Sequence, residues 1–294
     1  MISNPVIILG APRAGTSVLG RLLEAHPALV HVKEPRLVWR YGNDGLSDLL
    51  PASAARPEVM AHIRDYFGKT VAAAKGDRLL EKTPSNSLRV PFIDKIFPDA
   101  RYVHITRNGF DAAISIHWYW RNFTKGIGQG HKGSKDSILK QRLKQMKPRQ
   151  LPYYALEFIS RVIPRSGDSP RTLWGPRLPG LRQMVNEMDL IEVAGMQWRT
   201  CVERARIDAR AIAPDRYHEV RLEDLSEQKM IDVLGFLGLD YTAEVRTYFA
   251  EEFKPGMAES RRDALSGMTE EQLHKLRRVI APTMDWLGYE EPTA

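Results

Sequence analysis

One cysteine, Cys201, stands in 294 residues. No intrachain disulfide can form, and no cysteine-rich zinc site, which points to a reducing compartment. Long apolar runs are missing as well. Val6-Ile7-Ile8-Leu9 near the start is too short for a membrane span or a signal-peptide core, and no basic stretch precedes it. The expectation is a soluble cytoplasmic protein. Internal repeats and low-complexity tracts are absent, and with 43% hydrophobic and 27% charged residues the composition is that of an ordinary globular domain. Acidic residues are in deficit, 36 Asp and Glu against 43 Lys and Arg, for a formal charge of +7. That surplus suits an acidic partner such as a phosphorylated nucleotide, a nucleic acid or an anionic membrane; it also suits a basic surface that merely aids solubility. The charge gathers into no single stripe and no RNA- or DNA-binding signature occurs, so a nucleic acid is not the expected partner.

What is present is an alternation of short apolar runs with helical patterns, the mark of βαβ units on a mostly parallel sheet. Strands are predicted at Val6 to Leu9, Leu29 to Val32, Arg78 to Glu81, Tyr102 to Thr106 and Tyr217 to Leu222. Helices are predicted at Thr16 to Ala25, Pro57 to Ala74, Val90 to Phe97, Gly109 to Arg121, Glu187 to Ala213, Glu227 to Leu237 and Thr269 to Ile280. Residues 124–137, rich in glycine and lysine, read as a mobile loop; helix is expected over Ile138 to Met146 and Pro152 to Val162, before four prolines break the pattern. The stretch 122–185 is expected to cap the core as a mainly helical insertion within a single domain spanning 1–294.

The strongest local signal is also defined by something missing. Gly10-Ala11-Pro12-Arg13-Ala14-Gly15-Thr16-Ser17 has the spacing of a P-loop between a buried strand and a helix, but Thr16 stands where the lysine belongs. Glycines at both ends allow a tight turn and close approach to a ligand, and amides at the helix start converge on an anion. Without the lysine that neutralises terminal phosphates, ordinary triphosphate chemistry is disfavoured. Downstream, Tyr102-Val103-His104-Ile105-Thr106 ends in Arg107, and Ser115 follows eight residues later. An arginine fork grips phosphate through two donors, and a serine hydroxyl adds a contact.

Pro12-Arg13-Ala14-Gly15-Thr16-Ser17 resembles the 5′-phosphosulfate loop of the sulfotransferase superfamily, and the Arg107 and Ser115 pair resembles its 3′-phosphate motif. Glu81-Lys82-Thr83-Pro84-Ser85-Asn86 and Ile96 to Arg101 are similar to the branch that includes protein-tyrosine sulfotransferases. The agreement covers about residues 5–40 and 79–117, with weaker support near Arg221 to Leu225 and Phe236 to Leu239. The resemblance implies an α/β, P-loop-like three-layer fold. It implies 3′-phosphoadenosine 5′-phosphosulfate (PAPS) as donor, 3′-phosphoadenosine 5′-phosphate (PAP) as product, and no required metal. Arg13, Ala14, Gly15, Thr16 and Ser17 would then hold the 5′-phosphate and sulfate, and Arg107 and Ser115 the 3′-phosphate. Many relatives carry tyrosine where this chain has Leu222, so that contact is not expected. Ser260-Arg261-Arg262 is a loose match to the basic loop that closes over the donor.

Sulfonate transfer needs a base for the acceptor proton and cations for the charge that develops. Glu34 is the candidate base, by its distance beyond His26-Pro27 in the resembling branch, with partial burial expected to raise its pKa; pairing with Arg36 is its ordinary alternative. His31 and His104 are rival bases, though a histidine inside a strand is more often a satisfied core residue. Lys82 is the candidate for stabilising the leaving group, and Arg13 adds a cation beside it. Aromatic residues in or beside the insertion, Trp118, Trp120, Phe123, Tyr153, Tyr154, Phe158 and Trp174, either line an acceptor pocket or pack a helical cap. The acceptor itself, a hydroxylated metabolite, glycan, lipid or peptide, is not specified by the sequence. An altered P-loop kinase and a non-catalytic basic nucleic-acid-binding module are the competing readings.

Overall fold

The computed structural model describes residues 2–123, 147–154, 173–253 and 267–291. Among them β1 (Val6–Leu9), β2 (Leu29–Lys33), β3 (Arg78–Lys82), β4 (Arg101–Thr106) and β5 (Tyr217–Arg221) form one sheet in the order β2-β3-β1-β4-β5. Every pairing is parallel. β1 lies in the middle, and alternate residues of its apolar run face opposite sides. Val6 and Ile8 join Leu80, Val103, Ile105 and Val220 on one face. Ile7 and Leu9 join Leu79 and Tyr102 on the other. Both faces are covered, which is why β1 is unbroken apolar sequence rather than an alternating strand.

Helices α1 (Thr16–Glu24), α2 (Arg36–Arg40), α3 (Pro57–Ala72), α4 (Val90–Ile96) and α5 (Gly109–Phe123) belong to the first half of the chain. Next come α6 (Leu181–Glu187), α7 (Leu190–Ile212), α8 (Glu227–Leu237), α9 (Ala243–Glu252) and α10 (Glu270–Leu287). α1 and α8 cover one face of the sheet through Leu19, Leu22, Leu23, Met230, Val233 and Leu234. α3, α4 and the end of α7 cover the other. A separate core unites α5, α7 and α10 through Trp120, Trp198, Val202, Ile280 and Met284. This is the three-layer α/β arrangement expected from the sequence.

The strand bounds fall within one residue of expectation, but two of the expected helices differ, and α2 and α9 stand where no helix is predicted. The long helix expected from Glu187 is broken there. Glu187 ends α6, and Asp189 opens α7 with a capping box in which the Glu192 carboxylate accepts from the Asp189 amide at 3.2 Å. α10 does not stop at Ile280 but runs through Pro282 to Leu287. Burial of Thr283, Met284 and Leu287 outweighs the bond that proline removes. Residues 124–146, most of the predicted helix at 152–162, and Ser260-Arg261-Arg262 lie outside the described residues. No helix among the described residues is long and apolar enough to cross a membrane.

Parallel register brings the ends of β1, β3 and β4 to one edge, Ile8 opposite Lys82 and Leu9 opposite His104. The segments that follow them, beginning at Gly10, Thr83 and Arg107, therefore emerge side by side, where parallel α/β sheets place their ligands.

Candidate active site

The turn after β1 is pressed against the sheet edge. A Cβ on Gly10 would lie 2.6 Å from the Ile105 carbonyl oxygen, so only glycine fits there. Gly15 has φ 93, and a Cβ would meet Leu222 Cδ1 at 2.7 Å. The Gly10 amide donates to Ser87 Oγ at 2.8 Å, which ties the loop to the turn beyond β3. α1 starts at Thr16 with no side-chain cap. Its first-turn amides and the positive end of its dipole face the loop, the arrangement that receives an anion.

Lys82 closes β3 and turns towards α1. Its Nζ donates to Glu34 Oε1 at 2.7 Å and to Ser17 Oγ at 3.1 Å. The ammonium missing from the loop itself thus reaches the loop from β3. Glu34 follows β2, and Arg36 Nη2 donates to its other oxygen, Oε2, at 2.5 Å. The expected rise in the Glu34 pKa is not found. Burial does push it up, but the charges of Arg36 and Lys82 outweigh burial and hold the carboxyl at about 2. Glu34 is neither a surface partner of Arg36 alone nor a carboxyl poised near neutrality; it is clamped between two cations. Its backbone is left-handed, φ 49, as is that of Arg13, φ 68, and Asn4 is the one other such non-glycine among the described residues. Strained backbone of this kind costs about 1–3 kcal/mol per residue and gathers at functional sites.

Beyond β4, Arg107 and Ser115 are both buried, 6% and 1% exposed, yet they lie against the loop. Arg107 Nη1 donates to the Arg13 carbonyl at 3.3 Å, and its Nη2 lies 3.6 Å from Asp111 Oδ2. The Ser115 hydroxyl accepts from Arg13 Nε at 3.0 Å. The two anion cradles inferred from the sequence are therefore contiguous, with Arg13 between them.

The sulfotransferase family model matches residues 5–154, just over half of the chain, and that span holds all of these residues. The chain belongs to the sulfotransferase family. The nodulation protein NoeE of Sinorhizobium fredii (strain NBRC 101917 / NGR234) is 28% identical over 131 residues, 38% of this chain and 31% of that protein. A putative protein-tyrosine sulfotransferase of Caenorhabditis briggsae is 28% identical over 128 residues, 40% of this chain and 44% of that one. The matched stretch thus spans less than half the length of either relative. Among solved structures, the sulfotransferase domain from the curacin biosynthetic pathway aligns over 99% of both chains with a TM-score of 0.55 and 14% identity, a shared fold.

In this sulfotransferase, Arg13, Ala14, Gly15, Thr16, Ser17, Glu34, Lys82, Arg107 and Ser115 all fall on the same sheet edge and the segments leaving it. The rival bases are engaged with other partners. His104 is fully buried, its Nδ1 2.7 Å from the Tyr217 hydroxyl, and burial pushes its pKa down to about 4. His31 pairs with Glu24 at 3.1 Å. Of the aromatic residues, Trp120 is core, its Nε1 donating to Gln197 Oε1 at 2.9 Å, and Trp174 stacks on Tyr119. Tyr154 donates to Asp44 Oδ1 at 3.1 Å.

Sequence reasoning missed Glu81 and Tyr119. Glu81 is fully buried beside Lys82 and accepts from Trp39 Nε1 at 3.0 Å, Thr83 Oγ1 at 2.5 Å and Asn86 Nδ2 at 2.5 Å. An acid inside a buried strand was the available signal. Tyr119 lies one helical turn beyond Ser115, a spacing that could have exposed it.

Proposed function

We propose that this sulfotransferase moves a sulfonate group from PAPS to a hydroxyl or amine of an acceptor. The observation that carries the reading is the Lys82 ammonium, held between the Glu34 carboxylate and the Ser17 hydroxyl of a lysine-less phosphate loop. The glycines pressed against Ile105 and Leu222 leave a backbone cradle for the 5′ end of a nucleotide, and the buried Arg107 and Ser115 suit a second phosphate. PAPS supplies the activated sulfonate; the remaining work belongs to side chains.

Thr16, Ser17 and the first amides of α1 bind the 5′-phosphosulfate, and Arg107 with Ser115 binds the 3′-phosphate. Lys82 turns from Glu34 towards the bridging oxygen, where charge grows as the sulfur–oxygen bond breaks and the acceptor's bond to sulfur forms. Glu34 takes the acceptor proton. Release from Lys82 also raises the basicity of Glu34, because one of the two cations that depress its pKa then faces the leaving group.

Thermal shift with PAP, adenosine 5′-phosphate and ATP with magnesium tests the reading. PAP without metal should raise the melting temperature most, by mass action. A larger shift with magnesium ATP would favour a kinase and overturn the assignment.

A further inference from the structure

Arg107 stands in the turn between β4 and α5, and its neighbours in that turn are tied to segments far away in sequence. Thr106 Oγ1 lies 2.9 Å from the Tyr289 hydroxyl. That hydroxyl donates to Glu223 Oε2 at 3.3 Å, and Glu223 Oε1 accepts from the Asn108 amide at 2.8 Å. The contacts Thr106–Tyr289–Glu223–Asn108 thus close around Arg107, from the residue before it to the residue after it. The Arg107 carbonyl is held as well, accepting from Trp198 Nε1 at 3.2 Å. Asn108 Nδ2 donates to the Glu290 carbonyl at 2.9 Å, and the Gly109 amide lies 3.1 Å from Met284 Sδ. A Cβ on Gly109 would lie 2.8 Å from Trp198 Cη2, so the start of α5 is pressed against α7 and α10.

Tyr289 is the member that joins these pieces. The chain leaves α10 through Gly288, whose left-handed φ of 66 turns it back towards the sheet edge. There the Tyr289 ring receives the guanidinium of Arg221 from the end of β5, 4.6 Å from its centroid, and Arg221 Nη2 donates to the Leu287 carbonyl. Burial and then the charge of Glu223 push the Tyr289 pKa up, so the phenol keeps the proton it donates. A guanidinium gives phosphate two parallel bonds only when its fork is in register, so the backbone that carries it matters. The Arg13 carbonyl and Asp111 aim the Arg107 side chain. The contacts through Tyr289 hold the backbone beneath it.

We infer that Tyr289, with Glu223, is a positioning residue for the 3′-phosphate site. Its hydroxyl holds the turn that presents Arg107, and so favours a 3′-phosphorylated nucleotide without touching it. The inference rests on the donor proposed above and on Arg107 as a ligand of its 3′-phosphate.

Titration calorimetry with PAP and with adenosine 5′-phosphate, which lacks the 3′-phosphate, reads this role as a ratio of affinities. Tyr289→Phe keeps the ring beside Arg221 and removes only the hydroxyl. It should weaken PAP about three- to tenfold, the worth of one hydrogen bond, and leave adenosine 5′-phosphate within about twofold. Glu223→Ala should lower the ratio similarly. Glu223→Gln still offers an oxygen to the Asn108 amide and should restore most of it. A merely structural role would lower the melting temperature and leave the ratio alone; that result overturns the inference. So would equal losses for both nucleotides, or a ratio in Glu223→Gln as low as in Glu223→Ala. If Tyr289→Phe fails to fold, the two Glu223 variants decide by the same ratio. Wild type with no preference for PAP over adenosine 5′-phosphate would instead sink the donor assignment, and the inference with it.

Discussion

Glu34 is ionised wherever Lys82 and Arg36 flank it, with its pKa held near 2. The sign for stability follows from that depression. The unfolded carboxyl titrates near 4.5, so the pairing stabilises the fold fully above that pH and ceases to do so as pH falls towards 2. For turnover the consequence differs between free and loaded protein. In free protein both cations face Glu34; under the proposed mechanism, donor binding draws Lys82 to the leaving group and burial regains influence. The acid limb of kcat should therefore lie at higher pH than that of kcat/KM, since the two profiles report loaded and free protein respectively. Coincident limbs would show that Lys82 never leaves Glu34. Glu34→Gln and Lys82→Ala should each lower kcat by roughly two orders of magnitude or more while PAP affinity stays within a few-fold. Near-normal kcat in either variant removes that residue from the chemistry.

At the scale of elements, the turn beyond β3 is built on a buried acid. Glu81 fastens α2 through Trp39 and the following turn through Thr83 and Asn86. α2 starts two residues after Glu34, so Glu81 also fixes where the carboxylate clamp sits. Burial pushes its pKa up to about 7, against the lowering effects of Thr83 and Trp39. Between its unfolded pKa near 4.5 and about 7, the folded protein then holds more protons than the unfolded chain, so this group destabilises the fold progressively as pH rises. Glu81→Gln removes the titration. The gap in urea midpoint between wild type and variant should move in favour of the variant from pH 4.5 to 7.5, and a gap independent of pH would contradict the buried-acid assignment. Little of this was legible in the sequence. β1, its loop and α1 were, because an apolar strand, two obligatory glycines and a helical period are local patterns. Arg107 and Ser115 were as well, since one strand end and the helix that follows it set their places. α2 was not: five residues after a proline are too few to show a period. Glu81 was only partly so: an acid inside a buried strand stands out and Thr83 and Asn86 are close in sequence, but Trp39 comes from a segment that only the folded chain brings alongside.

At the scale of the whole molecule, a second buried acid, Asp48, 1% exposed, joins three segments that are distant in sequence. Its Oδ1 lies 3.3 Å from Arg40 Nε, 3.6 Å from Arg89 Nη2 and 3.7 Å from Arg177 Nε, and its Oδ2 accepts from the Arg177 amide at 2.8 Å. Those arginines belong to the end of α2, the residue before α4, and the segment that leads to α6. Asp44 adds a parallel tie, accepting from Gln150 Nε2 at 2.7 Å and from Tyr154. The described parts of the expected insertion are thus tied to the α2 side of the core through Asp44, Asp48 and, by Gln150 Nε2 at 3.0 Å, the Leu37 carbonyl, rather than through an apolar interface alone. Burial would raise the Asp48 pKa, but the three guanidiniums outweigh it and hold the carboxyl at about 2. Its stabilising effect is therefore complete above the ordinary value near 3.8 and fades as pH falls towards 2. Removing the charge at neutral pH takes away the carboxylate that these three guanidiniums share, and Arg89 among them is 1% exposed. Asp48→Asn keeps the shape and hydrogen-bonding capacity but not the charge, so it isolates the electrostatic part. It should cost about 3–5 kcal/mol in urea unfolding at pH 7, the usual penalty for stranding a buried charge. The deficit should shrink in acid as wild-type Asp48 itself becomes protonated. A deficit below about 1 kcal/mol at pH 7 would mean that water or backbone already satisfies the three arginines, and that the junction is held by its apolar contacts instead.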